Sequence, residues 1–228
     1  AMAPHFMGVD VALVGDYTTV AIGHNGPDGK VVLDHISGIK AGEGKFADVE
    51  RLDFDDVADY IAELTKKFYI VEGIFDQWAG IPMEQALKKR GLSQLKSVHH
   101  TRQLSSQMFQ NFKNMMLDQK LELYDHPIPE GEEHSAHIQE LLELQSETVS
   151  KYIIKVEAPN MQGKHDDFSD AMVRMVWCAS TNSTKIAHFG SARGVPNQAS
   201  ARFGRGPSKR STRSGSHSSR MIPKKGRR

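Results

Sequence analysis

"GVDVALVGDYTTVAIGHNGPDGKVVLDHISGI", residues 8–39, decides the fold. Three apolar runs, 8–14, 18–24 and 30–39, are separated by the turn sequences "GDY" and "GPDG". Runs of this length with turn residues between them predict three strands, and such short turns predict antiparallel neighbours. Asp10 interrupts the first run. A charge inside a core strand is costly unless it is paired or binds metal, so Asp10 is read as functional. Asp16, inside "GDY", is read as an ordinary turn former.

Beyond residue 39 the pattern changes to alternation. Asp53 caps a helix over 53–68 whose apolar residues Val57, Tyr60, Ile61, Leu64 and Phe68 keep helical spacing. "YIVEGIF" (69–75) reads as a buried strand, "IPMEQALKKRG" as a helix with Pro82 in its first turn and Gly91 at its end. "LKSVHH" is a short strand and "RQLSSQMFQNFKNMMLDQK" a long helix. "LELYD" is a strand, "EEHSAHIQELLELQSETV" a helix, "YIIKVEAP" (152–159) a strand, and about 166–182 a last helix. Three antiparallel strands followed by strand–helix alternation predict an α/β fold, a mixed central sheet flanked by helices.

The formal net charge of +1 over 228 residues hides an asymmetry. Twelve of the 29 Lys and Arg lie in 184–228, which has no Asp or Glu; residues 1–183 keep 17 basic and 28 acidic residues, a formal charge of −11. The expected organisation is therefore three parts. "AMAPHFM" (1–7) reads as an expression scar or linker after a truncation, 8–183 is the folded domain, and 184–228 is a basic, Gly/Ser/Pro-rich tail expected to be disordered. The tail suits binding to a polyanion or a partner. The single cysteine, Cys178, excludes an intrachain disulfide and a cysteine-based zinc site. No apolar run is long enough to span a membrane.

The acids are the candidate chemistry. Asp76 follows a buried strand directly, a common place for a site in an α/β sheet. Glu72, four residues earlier on the same strand face, is its fallback. In "KHDDFSDAMVRMVW" (164–177), Asp166, Asp167 and Asp170 crowd a helix start. On a helical wheel Phe168, Ala171, Met172, Met175, Val176 and Ala179 form one apolar stripe. Asp166 and Asp170 point away from it and read as helpers or dipole-matching surface acids. Asp167 sits on its border and is the best of the three for a metal shared with the sheet. His165 is a possible ligand or proton shuttle. Lys88, Lys89 and Arg90 end a helix, where cations are favourable, and are candidates for phosphate contacts; His99, His100 and Arg102 follow the next strand and are candidates to border a binding groove.

In order over about 8–180, "GVDVALVGDYTTVAIG", "YIVEGIFDQWAGIPMEQALKKRG", "TRQLSSQMFQNFKNMMLDQKLELYDHP" and "GKHDDFSDAMVRMVW" resemble the nuclease domain of tailed-bacteriophage large terminases. The resemblance implies the ribonuclease H-like fold and a two-metal site. It implies catalytic and metal-binding roles for Asp10, Asp76 and Asp167, with Asp166 adjacent, and two divalent ions, Mg²⁺ or Mn²⁺. "DQWAGI" departs from the D-x-x-G-x-G form of many members, which keeps Glu72 in play beside Asp76.

The implied activity is a DNA endonuclease of low sequence specificity acting during phage genome packaging. The implied partners are double-stranded DNA and, through the basic tail, the portal protein and the small terminase subunit. The implied location is the host bacterial cytoplasm. No G-x-x-x-x-G-K-[ST] occurs, so the ATPase motor of a full terminase is expected to be missing and ATP is not a cofactor. Alternatives are a Holliday-junction resolvase or ribonuclease H of the same fold, or a docking module acting through the tail.

Overall fold

The computed structural model describes residues 3–161 and 163–190, with side chains to 182. A six-stranded sheet runs in the order β5-β4-β1-β2-β3-β6. Its strands are β1 (His5–Asp10), β2 (Thr18–Asn25), β3 (Val31–Ile39), β4 (Ile70–Asp76), β5 (Leu95–Val98) and β6 (Leu121–Glu122). β1, β2 and β3 are antiparallel, β4 is parallel to β1, β5 to β4, and β6 to β3. The expected mixed sheet is the one observed.

Both faces of the sheet are covered, because alternate residues of β1 and β2 are apolar on both sides. On one face Met7, Val9, Val20 and Ile22 pack against α1 (Phe54–Thr65) and α2 (Gly80–Lys89). On the other, Phe6, Ala21 and Ile74 pack against α3 (Arg102–Leu117) and α5 (Asp167–Gly190). Asp53 caps α1 through a reciprocal bond pair with Asp56, as its position in the sequence predicts.

β1 begins at His5, so residues 5–7, expected to lie outside the domain, belong to the sheet; Phe6 and Met7 are fully buried. The first strand also ends at Asp10, earlier than the expected residue 14. Residues 184–190 continue α5, so the expected tail boundary at 184 falls inside a helix; 191–228 lie outside the described residues.

The expected helix over 132–149 is split. α4 covers only Ala136–Glu143, and β7 (Gln145–Ser150) pairs antiparallel with β8 (Ile153–Glu157) as a separate two-stranded sheet. β8 therefore never enters the main sheet. The exposed, Thr- and Val-containing 145–150 satisfies its backbone by pairing with β8, and Ile154 N–H anchors the hairpin to Ser106 of α3 at 3.0 Å.

Two glycines seat α5. A Cβ on Gly8 would lie 2.1 Å from the Ala171 carbonyl oxygen, and one on Gly23 would lie 2.7 Å from the Met175 sulfur. Gly8 thus lets the α5 backbone lie directly on β1, and Gly23 leaves room on β2 for the Met175 side chain. This close approach brings the first turns of α5 to the end of β1 that carries Asp10.

Candidate functional site

Asp10 and Asp76 end two adjacent parallel strands. Val9 is the cross-strand partner of Phe75, so the two acids emerge side by side and on the same face. Asp76 Oδ1 accepts a bond from Trp78 N–H at 3.2 Å, which shapes the turn into α2. Glu72 lies one end of the sheet away, opposite Phe6, where it accepts a bond from Asn182. Four residues along a strand is about 13 Å. The structure therefore separates Glu72 from the acid cluster and corrects its reading as a fallback for Asp76.

The start of α5 closes the cluster. Thr19, which faces Asp10 across β1 and β2, donates its hydroxyl to the Asp167 carbonyl at 2.6 Å. Asp167 Oδ2 accepts from Tyr17 N–H at 3.1 Å. Its carboxylate faces Asp16 and His165, and the three offer ligand atoms within 4.8 Å of one another. Asp166 Oδ2 accepts from Ala158 N–H at 3.2 Å. Asp16, read as a turn former, thus stands beside Asp167, and its side chain meets His165 Nδ1 at 3.2 Å.

Asp170 is not a free surface acid: it is partly buried at the cleft and paired. Arg174, one turn on, donates to Asp170 Oδ2 at 2.9 Å and to Asp10 Oδ1 at 2.7 Å. The wheel placed Asp170 opposite the apolar stripe, on the assumption that α5 has one covered face. In the fold α5 is covered by the sheet, by α3 and by α4, and every residue from Ala171 to Val176 is buried. Arg174 itself was missed by sequence reasoning. Its signal is a cation inside the apolar run "AMVRMVW", four residues after an acid.

The electrostatics follow from crowding. Burial pushes the Asp10 carboxyl above its ordinary range; Arg174 pulls it back, while Asp166 and Asp76 push it further up. Burial raises Asp170 to about 7, opposed by Arg174 and reinforced by Asp10, Asp166 and Asp167. Burial likewise raises Asp167 to about 6, opposed by the Tyr17 N–H. For Arg174, burial works against the charge, but Asp170 and Asp10 more than offset it and hold the guanidinium protonated. Two carboxylates, Asp170 and Asp10, hold one buried guanidinium, and Asp76 adds to their field.

A cleft of about 490 Å³ opens beside the cluster. Asp76, His100, Arg102, Asp170 and Arg174 reach into it, and its apolar walls come from α3 and the β7–β8 hairpin. His100, whose side chain is 9% exposed, puts Nδ1 3.2 Å from Asp76 Oδ2, and Nε2 is buried without a hydrogen-bond partner. Glu140 on α4, another residue not singled out in the sequence, accepts from Ser169 N–H at 2.6 Å and so anchors the start of α5.

The basic candidates separate. Arg102 lines the cleft. Arg90 is committed elsewhere, with Nε 2.6 Å from Asp59 and Nη1 2.7 Å from Asp55 of α1. Lys89 lies 3.8 Å from Asp55. These residues and Lys88 end α2, about 15 Å along the helix from its start beside Asp76. They stand apart from the cleft, and Arg90 is held by α1.

No protein-family model and no curated protein matches this chain. Several solved structures do. The large terminase of bacteriophage HK97 aligns with a TM-score of 0.63 at 16% identity, covering 78% of this chain and 40% of that one. The large terminase nuclease from thermophilic phage G20c with bound magnesium aligns at 0.58 and 11% identity, covering 76% and 80%. The nuclease domain of the large terminase subunit of bacterial virus Sf6, with manganese and beta-thujaplicinol, aligns at 0.55 and 12% identity, covering 77% and 89%. The chain therefore has the ribonuclease H-like fold of terminase nuclease domains, and it spans 40% of the length of the HK97 protein. Among the described residues, no helix is long and apolar enough to cross a membrane.

Proposed function

We propose that this chain is the nuclease part of a phage large terminase, a metal-dependent DNA endonuclease of low sequence specificity that acts in genome packaging. The observation that carries the reading is the convergence of Asp10, Asp76 and the α5 acids at one end of the sheet, beside an open cleft.

The residues fit divalent ions. The donors are carboxylate oxygens, which suit Mg²⁺ or Mn²⁺. Burial, with mutual repulsion adding to it, raises the Asp10, Asp167 and Asp170 carboxyls, and a cation among them would favour their charged forms. Asp10, Asp76 and Asp167 would hold two ions, with Asp166 beside them and His165 near Asp167. When bound, such ions supply an activated water and neutralise the leaving oxygen of a phosphodiester. Asp170 would act through Arg174, which fixes the rotamer of Asp10. Arg102 would meet a phosphate of the duplex in the cleft, a contact that positions without reading sequence. The basic 184–228 segment would dock the portal or the small terminase subunit, and the motor domain would belong to the longer protein.

Plasmid digestion tests the reading. Cutting is expected with Mn²⁺ or Mg²⁺, none with chelator, and none after Asp10→Asn or Asp76→Asn. Linear duplex is expected to be cut in preference to a four-way junction or an RNA–DNA hybrid. Cutting that survives chelation, or survives both substitutions, would overturn it.

A further inference from the structure

A second cluster of ligand-bearing side chains lies at the other end of the sheet. His5 opens β1, and its cross-strand partner on β2 is His24, so the two rings share a face. Asp34 of β3 joins them through an irregularity. The β2–β3 register passes from Gly23 opposite Leu33 to Ile22 opposite His35, leaving Asp34 as the extra residue. A bulge of this kind re-aims side chains that strict alternation would place on opposite faces. Here Asp34 meets the two histidines, while His35 packs with His5 around the Phe68 ring.

Asp34 Oδ2 lies 2.6 Å from His24 Nδ1 and 3.5 Å from His5 Nε2. One ligand atom from each of the three residues lies within 4.8 Å of the other two. Ligands at ordinary metal–nitrogen and metal–oxygen distances around a tetrahedral ion are about 3.4 Å apart, so small side-chain rotations complete the set. The side chains are sheltered yet reachable: His5 is 13% exposed, His24 26% and Asp34 23%. His5 Nδ1 is buried without a partner, which leaves Nε2, on the Asp34 side, as the polar outlet of that ring.

We propose that His5, His24 and Asp34 bind one divalent transition-metal ion of the zinc class, separate from the acid cluster. Two imidazole nitrogens and one carboxylate form a borderline donor set that favours Zn²⁺ or Co²⁺ over Mg²⁺. The acid cluster, mostly carboxylate oxygens with His165 as its one nearby ligand nitrogen beside Asp16 and Asp167, leans the opposite way. The ligands come from three adjacent strands, so the ion staples β1, β2 and β3 together at the end away from Asp10. The proposal stands independently of the nuclease reading.

The test is a Co²⁺ titration of the full chain in excess Mg²⁺, read by visible absorption and by calorimetry. One equivalent of Co²⁺ with nitrogen-ligand absorption bands is expected. Affinity should fall at least tenfold in His24→Ala and in Asp34→Asn, and stay unchanged in Asp10→Asn and Asp76→Asn. Zn²⁺ should raise the melting temperature of the parent chain more than that of Asp34→Asn. Asp34→Asn keeps the shape of the bulge, so it reads the result even where His24→Ala does not fold. Absence of a nitrogen-ligated Co²⁺ equivalent, or a site untouched by Asp34→Asn, would overturn the proposal.

Discussion

Arg174 on α5 donates to Asp10 on β1 at 2.7 Å, joining residues 164 positions apart. The same guanidinium holds Asp170 at 2.9 Å. One buried cation therefore ties the last helix to the first strand at the place where the acids converge. Removing it would leave two partly buried carboxylates without compensation, and such losses are large.

Arg174→Ala is accordingly expected to lose about 3–5 kcal/mol of stability at pH 8, measured by urea denaturation without divalent ions. Adding Mn²⁺ should recover part of the loss, since a bound cation replaces the missing charge. Arg174→Lys should recover less than the parent stability, because an ammonium has no fork with which to hold Asp10 and Asp170 together. A loss below about 1 kcal/mol would contradict the tie.

Gly8→Ala should be disruptive although it adds one methyl group. The new Cβ would lie 2.1 Å from a backbone oxygen of α5, so the helix itself must shift. Overpacking of this kind costs about 1–3 kcal/mol or more. The shift should also cut nuclease activity, because α5 carries Asp167. Urea denaturation and plasmid cutting on the same preparation check both outcomes.

Glu140 gives a pH signature. Burial raises it to about 8, against an ordinary value of 4.5. Between those values the folded chain keeps a proton that the unfolded chain has released. Its contribution is fully present below pH 4.5, declines as pH rises, and is lost above about pH 8. Glu140→Gln keeps an oxygen for the Ser169 N–H and removes the titration. The variant should therefore gain stability relative to the parent as pH rises from 5 to about 8. Parallel stability curves across that range would contradict the assignment.

Arg90 and Arg102 should part company. Arg90→Ala breaks the link between α2 and α1 and should lower the melting temperature while leaving DNA cutting unchanged. Arg102→Ala should leave stability nearly unchanged and raise the DNA concentration needed for half-maximal cutting, with a weaker salt dependence. Equal effects of the two on DNA binding would return Arg90 to the groove.

Much of the molecule was legible before any coordinates. Apolar runs and turn residues in 8–39 determined three antiparallel strands, and the helical spacing of Val57, Ile61 and Leu64 determined which face of α1 is buried. The helix expected over 132–149 was legible only in its first half, because pairing with β8 is a contact between segments and leaves no periodic trace in either. The placement of Asp76 at a strand end was legible too, since it follows an apolar run; Asp10 was expected inside a strand over 8–14 and instead ends β1. Which α5 acid faces what was a different matter. A helical wheel assumes one covered side, and α5 has three neighbours, so Asp170 turned inward to Arg174 and Glu72 was left at the far end of the sheet. Sequence alone determined the elements and their order, because these rest on local periodicity. The tertiary structure alone decided which charges meet, because that depends on the glycines that seat α5 and on the bulge that turns Asp34 toward His5 and His24.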